Sequence, residues 1–219
     1  MKKEEVCARI AEIGIIPAIR VSSAEDARFA AQAISQGGIP IMEITLTVPG
    51  AIALISGLAQ NSPEVIVGAG DVLDTDTARQ CLDAGAKFLT SPGLDLKIIE
   101  FAVKESIAVL PGAMTPTEVI TAWKAGSDFV KIFPCAQVGG ESYIRALKAP
   151  LPHTPLIASG GVNQKTAGSF ILAGATALGI GKELISKDAI QFRQADRIHT
   201  LANRFLSFVN DARSRKAAR

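Results

Sequence analysis

The sequence predicts an α/β chain folded as a (β/α)8 barrel, a TIM barrel, with an extra helix in front. Three observations predict it. A helical pattern closed by glycine and followed within two or three residues by a short apolar run recurs along the chain. It is seen at Ser35-Gln36-Gly37-Gly38, Asp83-Ala84-Gly85-Ala86, Lys124-Ala125-Gly126-Ser127 and Leu172-Ala173-Gly174-Ala175, glycine being the residue that ends a helix in a left-handed turn without strain. Eight apolar runs start at intervals of roughly 20 to 27 residues, the length of one βα unit with short connections. The 219 residues, 48% of them hydrophobic, suit one barrel with a large core and show no break in composition, so 1–219 is read as a single domain. An open doubly wound sheet is the main alternative, but no G-x-G-x-x-G follows the first strand.

In chain order, Lys3 to Ile13 is a leading amphipathic helix that would plug the bottom of the barrel. The strands fall at Ile15 to Ile19, Ile41 to Leu46, Val65 to Val67, Phe88 to Thr90, Ala108 to Leu110, Phe129 to Phe133, Leu156 to Ala158 and Ala177 to Ile180, short apolar runs of the kind that parallel, doubly covered strands need. Between them lie amphipathic stretches such as Ala24 to Gln36, Asp74 to Ala84 and Thr117 to Ala125, with Pro49, Pro116 and capping residues near the starts. Ala189 to Ala212 is expected to wrap back along the outside.

Composition excludes several classes of function. The net charge is +2 with scattered basic residues, which gives no nucleic-acid surface. No stretch is long enough to cross a bilayer. Met1-Lys2-Lys3 runs directly into Glu4-Glu5 without an apolar leader, so a cytoplasmic location is expected. Cys7, Cys81 and Cys135 are odd in number and lack metal-like spacing, as reduced thiols would be; Cys135 reads as a small buried hydrophobe. Two histidines, His153 and His199, are too few for a metal centre or a histidine-centred triad. No metal and no cofactor are expected.

The chemistry is concentrated at Phe129-Val130-Lys131-Ile132-Phe133-Pro134, an apolar strand with a lysine in its middle. Burial disfavours the ammonium, and a partly neutral lysine is a nucleophile suited to imine formation with a carbonyl. A lysine that snorkels to water or pairs with a carboxylate is the plain structural alternative. Active sites of barrels are built at the C-terminal ends of the strands. There the sequence offers Arg20, Glu43, Thr45, Asp71, Ser91-Pro92-Gly93, Thr115, Lys131, Ser159-Gly160-Gly161 and Gly179-Ile180-Gly181-Lys182. Glu43 alternates in phase with Ile41 and Thr45, which aims its carboxyl into the mouth. Beside Lys131 it reads either as a structural ion pair or as a general acid/base for aldol chemistry. The glycine turns after strands 7 and 8 are expected at helix starts, where backbone N–H groups hold a phosphate, with Lys182 adding a charge.

Six strand-end motifs, Ile41-Met42-Glu43-Ile44-Thr45-Leu46, Val67-Gly68-Ala69-Gly70, Ser91-Pro92-Gly93, Leu110-Pro111-Gly112, Val130-Lys131-Ile132-Phe133-Pro134 and Ser159-Gly160-Gly161, together resemble those of the 2-keto-3-deoxy-6-phosphogluconate / 4-hydroxy-2-oxoglutarate (KDPG/KHG) aldolases. Tyr143-Ile144-Arg145-Ala146-Leu147-Lys148 resembles a further signature of many members. The resemblance runs from about Ile15 to Leu184. It implies a class I aldolase, usually a homotrimer, that reversibly cleaves a 2-keto-4-hydroxy acid, expected to be phosphorylated, to pyruvate and an aldehyde. Lys131 matches the Schiff-base lysine, Glu43 the proton-transferring carboxylate, Pro92 and Phe133 the pocket walls, and Ser159, Gly160 and Gly161 a turn that binds the substrate's anionic end.

Three departures bear on the substrate. Thr47 stands where many members carry an arginine, Asp71 where a threonine is usual, and Lys182 where a serine or glycine is usual. Asp71 would repel a substrate carboxylate unless Arg20 or Lys182 compensates. Thr45, Thr47, Thr115 and Gly181 complete the expected binding set. Two other functions remain open at this point: an epimerase or isomerase of a sugar phosphate in which Glu43 is the base, and a barrel that binds keto acids or sugar phosphates without turnover.

Overall fold

The computed structural model describes residues 1–218; Arg219, the last residue of the expected 1–219 domain, lies outside the described residues. The strands are β1 (Ile15–Ile19), β2 (Ile41–Thr45), β3 (Ile66–Gly70), β4 (Phe88–Thr90), β5 in two pieces (Ala108–Leu110 and Gly112–Ala113), β6 (Val130–Ile132), β7 (Leu156–Ser159) and β8 (Ala177–Ile180). All pair in parallel, in one sheet that runs from the first piece of β5 through β4, β3, β2, β1, β8, β7 and β6 to the second piece of β5. Its two ends are separated in the chain by Pro111 alone, so the sheet closes into a (β/α)8 barrel.

The split in β5 has a simple cause. Proline has no N–H to give to a ladder, and Pro111 interrupts the strand where the sequence suggested that it ends. The segment around β6 bridges the gap, because the N–H groups of Asp128, Lys131 and Phe133 donate to the carbonyls of Val109, Pro111 and Ala113.

The helices are α1 (Lys3–Ile13), α2 (Ala24–Gln36), α3 (Ala51–Asn61), α4 (Thr75–Asp83), α5 (Leu96–Lys104), α6 (Pro116–Lys124), α7 (Gly140–Lys148), α8 (Ala167–Ala173), α9 (Lys187–Gln191) and α10 (Ala195–Ala217), with a short 3-10 turn at Cys135–Val138. Side-chain caps fix several starts, at Ser23, Asp74, Asp95 and Thr115. The leading helix packs against β5 and β8. Arg213 of α10 holds it there: its guanidinium donates to the carbonyls of Ala11 and Glu12 in the last turn of α1 and to Thr176 before β8.

The C-terminal helix expected at Ala189 to Ala212 is two helices. The chain turns at Arg193, in the left-handed region at φ 48°. Its guanidinium pairs with Glu25 at 2.9 Å and Asp26 at 2.8 Å and lies 5.0 Å over the Phe29 ring. The corner is therefore tied to the start of α2 by charges remote in sequence, where no local glycine or proline announces it. No helix among the described residues is long and apolar enough to cross a membrane.

Candidate active site

Register places the inward-facing side chains. Ala18 stands opposite Glu43, Glu43 opposite Gly68, Gly112 opposite Lys131, and Lys131 opposite Ile157. Because alternate residues of a strand share a face, Glu43 and Lys131 enter the same interior from opposite sides of the barrel. Their side chains are 4% and 9% exposed, and Lys131 Nζ lies 3.7 Å from Glu43 Oε2. The amine also donates to Thr90 Oγ1 at 3.5 Å and stands 5.5 Å from the centre of the Phe133 ring. Both contacts to Lys131 are long for hydrogen bonds to an ammonium, so neither ties the nitrogen tightly.

Glycines make the room. A Cβ on Gly70 would sit 2.5 Å from Glu43 Cγ and Cδ, and one on Gly68 would meet the Phe88 ring. On the far wall a Cβ on Gly112 would strike the Pro92 carbonyl and come 2.7 Å from Gly93 N. The interior thus holds the Glu43 carboxyl because glycine stands beside it at position 70. Thr90, buried in the same layer, was absent from the sequence-derived set. Its parity with Phe88 on β4 was the available signal.

One layer above Glu43, toward the C-terminal ends of the strands, Arg20, Thr45, Thr47 and Asp71 form a connected group. Arg20 Nη2 lies 2.6 Å from Asp71 Oδ2, and Nη1 donates to Thr47 Oγ1 at 3.5 Å. The Thr47 hydroxyl is 2.9 Å from that of Thr45, which donates to the Ile19 carbonyl at 3.0 Å. Asp71 adopts the left-handed conformation at φ 59°, uncommon outside glycine but open to aspartate. Its carboxylate, 16% exposed, is balanced by Arg20, 55% exposed. A cavity of ≈ 640 Å³ opens beside Arg20 and Thr47 toward Ile185 and Lys187.

Past β7, Gly160 and Gly161 are both left-handed, at φ 84° and 85°. They press on the segment that follows Lys131: a Cβ on Gly160 would come 3.0 Å from Pro134 Cα, one on Gly161 would meet Ala136, and Ala136 N–H donates to the Gly160 carbonyl. Ser159 Oγ lies against Gly179, where a Cβ would be 2.6 Å away. Among the described residues the N–H groups of Gly161 and Lys182 donate to no carbonyl or side chain.

Several expected positions also make structural contacts. The turn after β7 does not open a helix directly, since α8 starts at Ala167 after a turn built on Asn163 and Thr166. Gly181 likewise starts a hydrogen-bonded turn, accepting from Leu184 and Ile185, ahead of the short α9. Lys182 lines a cleft shared with α10. Thr115 caps α6: its N–H and hydroxyl donate to Glu118, and its Oγ1 accepts from Glu118 N–H. The Met114 N–H, followed by the Thr115 hydroxyl and N–H, donates to the Glu118 carboxylate and holds it below its ordinary value. Cys135 is buried just past Lys131, and burial pushes its thiol up to about 12, an inert packing group.

The family model described as KDPG and KHG aldolase matches residues 6–201. The KHG/KDPG aldolase of Escherichia coli strain K12 is 30% identical over 188 residues, covering 86% of this chain and 88% of that protein. Among solved structures, the KDPG aldolase of Legionella pneumophila with pyruvate captured at low pH as a covalent carbinolamine intermediate superposes with a TM-score of 0.83 at 29% identity, over 90% of this chain and 96% of that one. A native KDPGal structure gives a TM-score of 0.83 at 28% identity, over 91% and 96% of the two chains.

Proposed function

The chain belongs to the KDPG and KHG aldolase family, and we propose that in it Lys131 is the Schiff-base amine and Glu43 the group that carries the protons. It is an aldolase, a carbon–carbon lyase that cleaves a keto-deoxy acid to pyruvate and an aldehyde. The observation that carries the assignment of residues is the buried amine 3.7 Å from a buried carboxylate at the open end of the barrel.

Lys131, as the free amine, attacks the C2 carbonyl of the substrate to give a carbinolamine, which loses water to a protonated imine. Glu43 takes the proton of the C4 hydroxyl, directly or through a water. The C4–O electrons form the aldehyde carbonyl while the C3–C4 pair moves into the imine, leaving an enamine on Lys131. Glu43, now protonated, returns the proton to C3, and water hydrolyses the imine to release pyruvate and the amine. A carbinolamine with pyruvate in the Legionella relative supports the first step. Thr90 fixes the Nζ position, and Phe133 with Pro92 walls the reacting end.

The keto-acid carboxylate adjoins C2, so it needs a cation one layer from Lys131. Arg20 is suited to it, with Asp71 and Thr47 holding its fork and Thr45 holding Thr47. Ser159, Gly160, Gly161 and Gly181 frame the neighbouring rim at the ends of β7 and β8, where the free N–H of Gly161 suits the anionic far end of a phosphorylated 2-keto-3-deoxy acid. The proposal extends to one domain over 1–219, working as a homotrimer in the cytoplasm. Exposed Leu96 and Val103 on α5 and Ile120 and Trp123 on α6 supply apolar surface for self-association; sedimentation should give three times 22.9 kDa, and a monomer would remove that part.

Pyruvate release from a panel of 2-keto-3-deoxy acids, with and without a 6-phosphate, tests the function. Cleavage of at least one, faster when phosphorylated, is the expected result; no cleavage of any would overturn it.

A further inference from the structure

We propose that the cleft between α10 and the turns following β7 and β8 binds a phosphate-bearing anion at a site separate from the catalytic mouth. One wall is a single face of α10, where Arg197, Thr200 and Arg204 recur at helical spacing. The facing wall is Gln164 from the turn after β7 and Lys182 and Ser186 from the segment between β8 and α9. The open cleft offers ≈ 430 Å³, room for a small phosphate ester. Neither Lys131, Glu43, Gly160 nor Gly161 lines it.

Charge is what makes the cleft unusual. Lys182, Arg197 and Arg204 converge on it from two elements against one acid, the exposed Glu183. Among the described residues none of the three cations has a carboxylate within 4.0 Å, whereas Arg9, Arg20, Arg79, Arg145 and Arg193 are each paired. The two arginines are instead steadied by neutral amides: Arg197 donates to Gln194 Oε1 at 3.2 Å and Arg204 to Gln164 Oε1 at 3.3 Å. An amide oxygen orients a guanidinium without neutralising it, so the remaining N–H donors keep their charge for an occupant. Three like charges brought together repel unless an anion joins them, and a phosphate, a tetrahedral anion whose oxygens meet the planar fork of a guanidinium in pairs, is a group that arginines recognise.

The site goes beyond the aldolase reaction, and its test needs no turnover. Inorganic phosphate is titrated calorimetrically at low ionic strength into the wild-type chain and into the double variant Arg197→Gln, Arg204→Gln, and both are assayed for keto-acid cleavage. Saturable binding that weakens about tenfold or more in the variant, with kcat and KM for cleavage unchanged, is expected. Absence of saturable binding, or a binding isotherm that the variant leaves wholly unchanged, would overturn the proposal. A rise in KM parallel to the loss of phosphate binding would also overturn it, by making the cleft the far end of the substrate pocket. Equal melting temperatures of the two proteins without phosphate show that the variant is folded. A chain that binds phosphate as described yet cleaves nothing would leave this site standing and count against the proposed reaction alone.

Discussion

Gly70→Ala perturbs one group of the proposed pair and spares the other. The new Cβ would lie 2.5 Å from Glu43 Cγ and Cδ and closer still to Oε1. Restoring van der Waals separation of about 3.5 Å requires the carboxyl to retreat by about 1 Å, while nothing in the contact reaches Lys131. Misplacement of a reacting group by that distance costs about 100-fold in rate, and forcing one extra carbon into a packed interior costs about 1–3 kcal/mol of stability. Steady-state cleavage assays should therefore show kcat about 100-fold lower. Borohydride reduction in the presence of pyruvate should still load the protein, because imine formation uses the amine. The control is Gly68→Ala, whose Cβ has atoms of the Phe88 ring as its nearest neighbours. Urea unfolding should place it in the same range of destabilisation, with kcat within about threefold of wild type. A Gly70→Ala enzyme that cleaves at the wild-type rate, or a control that loses as much activity, would refute the assignment of Glu43.

Lys131→Met keeps the length and apolar stem of the side chain and should abolish cleavage with an unchanged circular dichroism spectrum; residual turnover above background would remove the Schiff-base step. Arg20→Gln should raise KM for the keto acid more than it lowers kcat, since the carboxylate stays uncleaved through the reaction; an unchanged KM would show that Arg20 does not hold it. Arg213→Ala removes charged hydrogen bonds to three carbonyls at the junction of α1, β8 and α10, worth about 2 kcal/mol in urea unfolding; a loss under about 0.5 kcal/mol would contradict the clamp. Glu118 has a folded-state value held below its ordinary 4.5, so its stabilisation is fully present above 4.5 and is lost as pH falls through the folded value. Glu118→Gln should thus be less stable than wild type by about 1 kcal/mol at pH 7 and converge on it in acid; a difference that stays constant with pH would show that the charge of the cap is irrelevant.

The barrel was legible because its signals are local and repeated: a helix stop, a short apolar run and a fixed spacing. Strand parity likewise aims Glu43 into the mouth, whereas the inward direction of Lys131 comes from the barrel register. Features missed were those set by distant parts of the chain. The corner at Arg193 is held by Glu25 and Asp26 of α2, and no pattern within Ala189 to Ala212 encodes that. Pro111 was read as a strand end, because the continuation at Gly112–Ala113 depends on hydrogen bonds from β6. Thr115 and Lys182 sit at the ends of strands 5 and 8, as a barrel site demands, yet position in the chain does not fix what a side chain touches: the Thr115 hydroxyl caps α6, and Lys182 lines a cleft with α10. The compensation of Asp71 by Arg20 was conditional in the sequence and is a 2.6 Å contact in the fold.

The most direct measurement is the mass of the peptide that contains Lys131 after the protein is treated with pyruvate and borohydride. A gain equal to pyruvate less water plus two hydrogens, confined to Lys131 and absent from Lys131→Met, is the outcome required if that amine does the chemistry. An unmodified Lys131 peptide, or the same gain on another lysine, would contradict it.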